Sequence, residues 1–90
     1  MLIKLVKVKR SSVGSYSSLQ EVYVNINTIG SVTSENEVIS LHEKNSIGIL
    51  ESTELSKVVI MEGNRTRSII VVGSPSEIYN KINKKQILRG

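Results

Sequence analysis

The side chains that most often carry out catalysis are scarce in this sequence. Aspartate and cysteine are absent, and His42 is the only histidine. A Ser-His-Asp triad therefore cannot form, and no spacing supports a Ser-His-Glu version. His42 and Glu43 also lack the second histidine of a zinc-binding helix, because position 46 is serine. We expect no catalytic residue, no metal ligand and no cofactor, and we predict that the protein is not an enzyme.

Charge is the more informative signal, because it is distributed unevenly along the chain. Residues 1–20 hold four basic residues and no acid, and residues 63–90 hold six basic residues against one glutamate. Residues 21–62 hold seven glutamates against two lysines, and the whole chain has a formal net charge of +4. Basic ends brought to one side of the fold would attract phosphate groups.

We name this predicted set the basic surface. Its members are Lys7, Lys9, Arg65, Arg67, Lys81, Lys84, Lys85 and Arg89. Tyr23 is the aromatic residue predicted to accompany them, either stacking a base or contacting a protein. The alternative is a solvated face without a ligand, since aromatic residues do not interleave the basic ones.

The elements that would position these residues are clearest in the last third of the chain. The Gly-Asn pair at 63–64 predicts a two-residue turn that joins residues 57–62 and 66–72 in an antiparallel hairpin. This turn pairs Ile60 with Arg67. Strand alternation then places Arg67 on one face with Val58, Ile60, Ile69 and Val71, and places Val59, Met61, Ile70 and Val72 on the other. Apolar residues on both faces predict a sheet covered on one side and partly covered on the other.

A helix start follows the hairpin. Ser74 suits the N-cap, Pro75 suits the first helical position, and Glu77 completes a capping box. Ile78 and Ile82 lie one turn apart, which predicts a short amphipathic helix packed on the sheet.

Two more strands are predicted in the N-terminal half. Residues 1–10 alternate, with Val6 and Val8 on one face and Lys7 and Lys9 on the other. Residues 11–18 read as a polar connection that is flexible by composition. Residues 21–26 alternate again, with Val22, Val24 and Ile26 facing inward and Tyr23 and Asn25 outward. The three-residue spacing of Ile26, Ile29 and Val32 predicts a single helical turn after this strand.

Residues 34–56 allow two interpretations. They contain short strands at 38–41 and 47–50, or they form an insertion that lies over one sheet face. In either case we expect residues 1–90 to be one domain. The predicted class is α+β, a small β-rich domain of mainly antiparallel sheet with one C-terminal amphipathic helix.

Composition adds expectations about assembly and location. The chain has no Phe or Trp and only three Tyr, so its core must consist of Val, Ile and Leu. A core of this kind is thin in so small a domain, and we expect self-association, most simply a homodimer. No apolar run approaches the roughly 20 residues of a membrane span. The N-terminus lacks a signal-peptide core, so we expect a cytoplasmic protein.

The layout resembles the small FlbD-like (SwrD-like) flagellar proteins. The resemblance rests on residues 24–32, Val-Asn-Ile-Asn-Thr-Ile-Gly-Ser-Val, followed by the Gly-turn hairpin and a helix of the Ser-Glu-Ile-x-x-Lys-Ile kind. It implies an early strand, a terminal helix and an association with motility rather than with a catalytic site. The Ser-rich loop and residues 34–56 depart from that family. The Asn-, Ile-, Lys- and Ser-rich composition also resembles bacteriophage accessory proteins, which would place the protein in a host cytoplasm.

The sequence therefore favours a non-catalytic adaptor or regulator. It would bind another protein through a sheet edge or through the acidic residues 34–56. The alternative is a small RNA- or DNA-binding protein that uses the basic ends, and salt-sensitive binding would distinguish the two.

Overall fold

Five strands and one C-terminal helix make up the part of the chain that the computed structural model describes, which is residues 1–10, 16–35, 48–49 and 52–89. The elements are β1 (Leu2–Arg10), β2 (Tyr16–Asn25), a 3₁₀ turn (Ile26–Thr28), β3 (Ile29–Ser34), β4 (Leu55–Glu62), β5 (Arg65–Val72) and α1 (Pro75–Arg89). The strands form one antiparallel sheet in the order β2-β1-β5-β4-β3. The predicted α+β class, with a mainly antiparallel sheet and a C-terminal helix, is confirmed.

The predicted hairpin is confirmed in its turn, its register and its faces. Ile60 pairs with Arg67, and Gly63 adopts a positive φ of 59° at the turn. The apolar residues that the sequence placed on the face of Arg67 are buried, and Val58 and Val71 have no exposed surface. β4 begins at Leu55 rather than at residue 57, because Leu55 continues the pairing as far as Val72.

β2 is longer at its start than the sequence predicted. It begins at Tyr16, so the prediction of a connection over residues 11–18 is wrong at positions 16–18. Ser18 pairs with Lys9 of β1, and this long backbone ladder outweighs the loop-like composition. The strand also ends at Asn25, one residue earlier than expected, because Ile26 begins the 3₁₀ turn.

The predicted single turn after β2 is confirmed. The Asn25 side chain accepts a hydrogen bond from the Asn27 N–H at 3.0 Å and so caps the turn. The Thr28 hydroxyl donates to the Asn25 carbonyl at 2.7 Å. The Ile26 N–H donates to the Met1 carbonyl at 3.0 Å, which ties the start of β1 to the same corner.

This turn joins the two edge strands of the sheet, so the sheet must curl. Five strands laid flat would separate their edges by about 19 Å, whereas three residues of 3₁₀ helix rise only about 6 Å. Both edges accordingly contribute to one core, through Val24 of β2 and Val32 of β3. A register shift at Gly30 marks a bulge in β3, a feature that helps a strand to bend. The fold is thus a partly closed barrel with a concave, apolar inner side.

Helix α1 covers part of that concave side. Ile78 and Ile82 pack into the core beside Ile3 and Leu5 of β1. The N-cap prediction is confirmed, because the Glu77 N–H donates to the Ser74 hydroxyl oxygen at 3.2 Å. In the described part of the chain no helix has the length and apolarity to cross a lipid bilayer.

The junction between β5 and α1 is held by hydrogen bonds to Gly73. Its N–H donates to the Glu54 carbonyl at 2.8 Å, and its carbonyl accepts from the Ser56 hydroxyl at 2.7 Å. Ser56 is completely buried, and Gly73 has a φ of 123°. Few side chains tolerate that backbone conformation, so glycine is required here.

The outer side of the sheet is partly covered, as predicted. Val8 and Leu55 are buried there, with Ile49, Ile70 and Val72 packed against them. Ile49 is a described residue of the segment 34–56, and the interpretation of that segment as an insertion over a sheet face stays a prediction. The strand proposed at 38–41 lies outside the described residues. Of residues 47–50, the described residues 48 and 49 are not in a strand.

Candidate binding groove

Two adjoining hollows open on the part of the concave side that α1 leaves uncovered. The first has a volume of about 290 Å³ and is lined by Lys7, Val22, Tyr23, Val24, Arg67 and Ile69. The second has a volume of about 360 Å³ and is lined by Leu2, Tyr23, Val24, Asn25, Thr28, Ile60, Glu62 and Arg67. Because the hollows share Tyr23, Val24 and Arg67, we treat them as one feature, the groove, between β2 and the tip of the β4–β5 hairpin.

The sheet topology explains why the groove stays open. β5 pairs with β4 at eight positions, but among the described residues it pairs with β1 only at Lys7–Val71. The hairpin is therefore only briefly attached to β1. β2 is an edge strand, and within the described part of the chain no other strand pairs with its outer edge.

Alternate residues of a strand lie on one face, so Lys7 lies on the concave side with Ile3 and Leu5 of β1. Its side chain is half-buried beside the apolar groove residues Val22 and Ile69. Among the described residues no carboxylate forms an ion pair with its ammonium group. A cation in such surroundings gains from a bound anion.

Arg67 extends from the same side toward water. Its Nη2 and Nε atoms lie 3.3 and 3.4 Å from the Oε1 atom of Glu62. The side chains of both residues are more than half exposed, so this ion pair adds little to stability. In this arrangement the Arg67 stem lies over the apolar face while its guanidinium stays in water.

Tyr23 forms the rim of the groove. It is 67% exposed, although Val24 beside it is buried, because alternation turns Tyr23 away from the core. Leu2, which is 54% exposed, lies on the neighbouring strand two residues from Lys4, the pairing partner of Tyr23. Tyr23 and Leu2 both line the second hollow, at its outer margin, where an apolar ring and an apolar side chain are open to a partner.

The structure brings together only some of the predicted site residues. Lys7, Arg67 and Tyr23 line the groove. Lys9 and Arg65 are exposed on the same strands but outside it.

The helical members of the basic surface lie elsewhere, because α1 supplies no described residue to the groove. Lys81 donates to the Lys4 carbonyl of β1 at 3.5 Å, and Lys84 is exposed. The side chains of Lys85 and Arg89 lie outside the described residues.

Sequence reasoning missed Leu2 and Glu62 as groove residues. A signal for Glu62 was present, because the predicted turn already placed it diagonally across from Arg67. Leu2 gave no such signal, because its position depends on pairing with β2.

Metal binding has no support in the described residues, where no group of three or more His, Cys, Asp or Glu side chains is close enough to hold an ion. His42 lies outside them. No family model, curated protein or solved structure matches the chain. The resemblance to FlbD-like flagellar proteins therefore stays a prediction.

Proposed function

We propose that this protein is a small non-catalytic adaptor or regulator that binds a protein partner in the groove. The observation that supports this best is the position of the groove along β2, an edge strand with Tyr23 exposed beside it. An extended segment of a partner that adds to a free sheet edge gains main-chain hydrogen bonds, and adjacent hollows accept its side chains.

The chemistry of the groove favours binding over catalysis. Its ionisable groups are two cations, one carboxylate and one phenol, and the Glu62 carboxylate already accepts hydrogen bonds from Arg67. No described groove residue forms a nucleophile–base pair of the kind that hydrolytic sites use.

A nucleic-acid partner is the second candidate, favoured by the presence of Lys7, Arg67 and Tyr23 in one groove. Two features weigh against it. Glu62 places a negative charge where phosphates would pass, and Tyr23 is the only aromatic residue among those that line the groove. Single-strand binding sites usually stack several bases on aromatic side chains.

The test compares the proteins retained from a native lysate by three immobilised chains, with and without nuclease. The chains are the wild type, Tyr23→Ser, and the control Tyr79→Ser. Tyr79 is also exposed, at 47%, but lies on α1 outside the groove. We expect a nuclease-resistant set of proteins that the wild type and Tyr79→Ser retain and Tyr23→Ser loses. Retention of the same set by Tyr23→Ser would refute a role for the groove, and loss on nuclease treatment would favour nucleic acid.

A further inference from the structure

One of the two cations of the groove lies beside apolar residues. Lys7 is half-buried next to Val22 and Ile69, and no described carboxylate pairs with it. A cation without a paired counter-charge is stabilised by an anion that binds close to it. The described residues do not supply one, so a ligand anion would be stabilised at this position.

Arg67 lines both hollows and retains hydrogen-bonding capacity. Only its Nε and Nη2 atoms contact Glu62, and both contact the same oxygen at 3.3–3.4 Å. Strong charge-assisted hydrogen bonds are shorter, about 2.7–2.9 Å. The guanidinium has five N–H donors, so it can accept a second carboxylate without losing the first.

We propose that the groove binds an extended acidic peptide segment of a partner protein, an inference that rests on the proposed function. One Asp or Glu carboxylate of the segment lies between Lys7 and Arg67. Its apolar neighbours contact Val22, Val24 and Ile69. In an extended chain alternate side chains point the same way, so an acidic residue within an apolar stretch matches one anion position between apolar walls.

Charge argues against two other occupants. A symmetric contact between grooves of two copies would bring together two Lys7 side chains, neither of which has a described carboxylate partner, and these repel. A nucleic-acid strand carries a phosphate at every nucleotide, and Glu62 would oppose that continuous charge.

The experiment starts from a displayed library of random peptides about ten residues long, roughly the length of one strand with its flanks. The full chain is used as bait, and the most enriched peptide is then synthesised and titrated by fluorescence anisotropy. We expect enrichment of peptides with one or two acidic residues flanked by apolar ones.

Two double variants make a matched comparison. Lys7→Gln/Arg67→Gln removes the groove charges, and Lys9→Gln/Arg65→Gln removes equal charge from exposed positions on the same strands. We expect the groove variant to lose at least about tenfold in affinity, as the loss of charge-assisted hydrogen bonds implies. The control should stay within about twofold. If the groove variant fails to fold, Lys7→Arg/Arg67→Lys, which keeps both charges, should still prefer the acidic peptide over its Gln-substituted version.

The inference would be overturned if the library gave no enriched peptide or enriched peptides without acidic residues. Equal loss of affinity in the two double variants would also overturn it. So would displacement of the bound peptide by an equal concentration of single-stranded DNA. Enriched apolar peptides whose binding is lost in Tyr23→Ser would refute the acidic preference alone and leave the proposed function standing.

Discussion

Ser56→Ala should lower the free energy of unfolding more than the replacement of an exposed serine by alanine does. Ser56 has no exposed surface, and its hydroxyl donates to the Gly73 carbonyl at 2.7 Å. Gly73 is itself buried, so in Ser56→Ala the carbonyl loses this donor where water has little access. A buried polar group left without its partner costs about 1–3 kcal/mol.

This cost is measurable by thermal unfolding followed by circular dichroism. A loss of about 2 kcal/mol should lower the Tm of a domain of this size by roughly 8–16 °C. Ser68→Ala is the matched control, because Ser68 is exposed on the neighbouring strand β5 and should change stability by at most about 0.5 kcal/mol. If Ser56→Ala matched this control, the hydrogen bond to Gly73 would not hold the β5–α1 junction, and the reasoning would be wrong.

Three further predictions concern local structure and assembly. Ser74→Ala should lower the free energy of unfolding in urea by around 1 kcal/mol through loss of the N-cap. The control Ser76→Ala, inside α1, should leave it unchanged. Equal effects of the two substitutions would contradict the N-cap role of Ser74. Gly73→Ala should destabilise more than Gly63→Ala, because φ 123° is a conformation that L side chains rarely adopt and a new Cβ there would lie 3.2 Å from the Glu77 Oε2 atom, whereas at Gly63 it would have nothing within 4 Å. The reverse order in thermal unfolding would refute this. Sedimentation at micromolar concentration should show species larger than the 9.9 kDa monomer, since apolar side chains remain exposed; a monomer at every concentration would remove the argument.

The sequence predicted the parts of the fold that local chemistry determines. The hairpin follows from the two residues of its turn, and the start of α1 follows from Ser74 and Pro75. The 3₁₀ turn follows from the spacing of three apolar residues. Each of these signals lies within a few residues of the element that it predicts.

Long-range pairing determined what the sequence could not predict. β3 contains Gly30 and several small polar residues, and it is a strand because it pairs with β4. The Ser-rich start of β2 is a strand because it pairs with β1. The groove depends on the sheet order, which brings Lys7 and Arg67 together from distant parts of the chain. Alternation did place Arg67 on the face of Ile69 and Val71, and Tyr23 was predicted to accompany the basic residues, but no local signal indicated which members of the basic surface would meet.

The hydrogen bond from the Ile26 N–H to the Met1 carbonyl has a practical consequence for anyone preparing the protein. It fixes the first residue at the corner between β2 and β3, and Leu2 beside it lines the groove. A purification tag joined at Met1 would begin next to a groove residue, and we expect it to interfere with a partner bound there. A tag joined after α1 would leave from an element that supplies no described residue to the groove. Binding data collected with the two placements should differ, and the C-terminal fusion is the one to use.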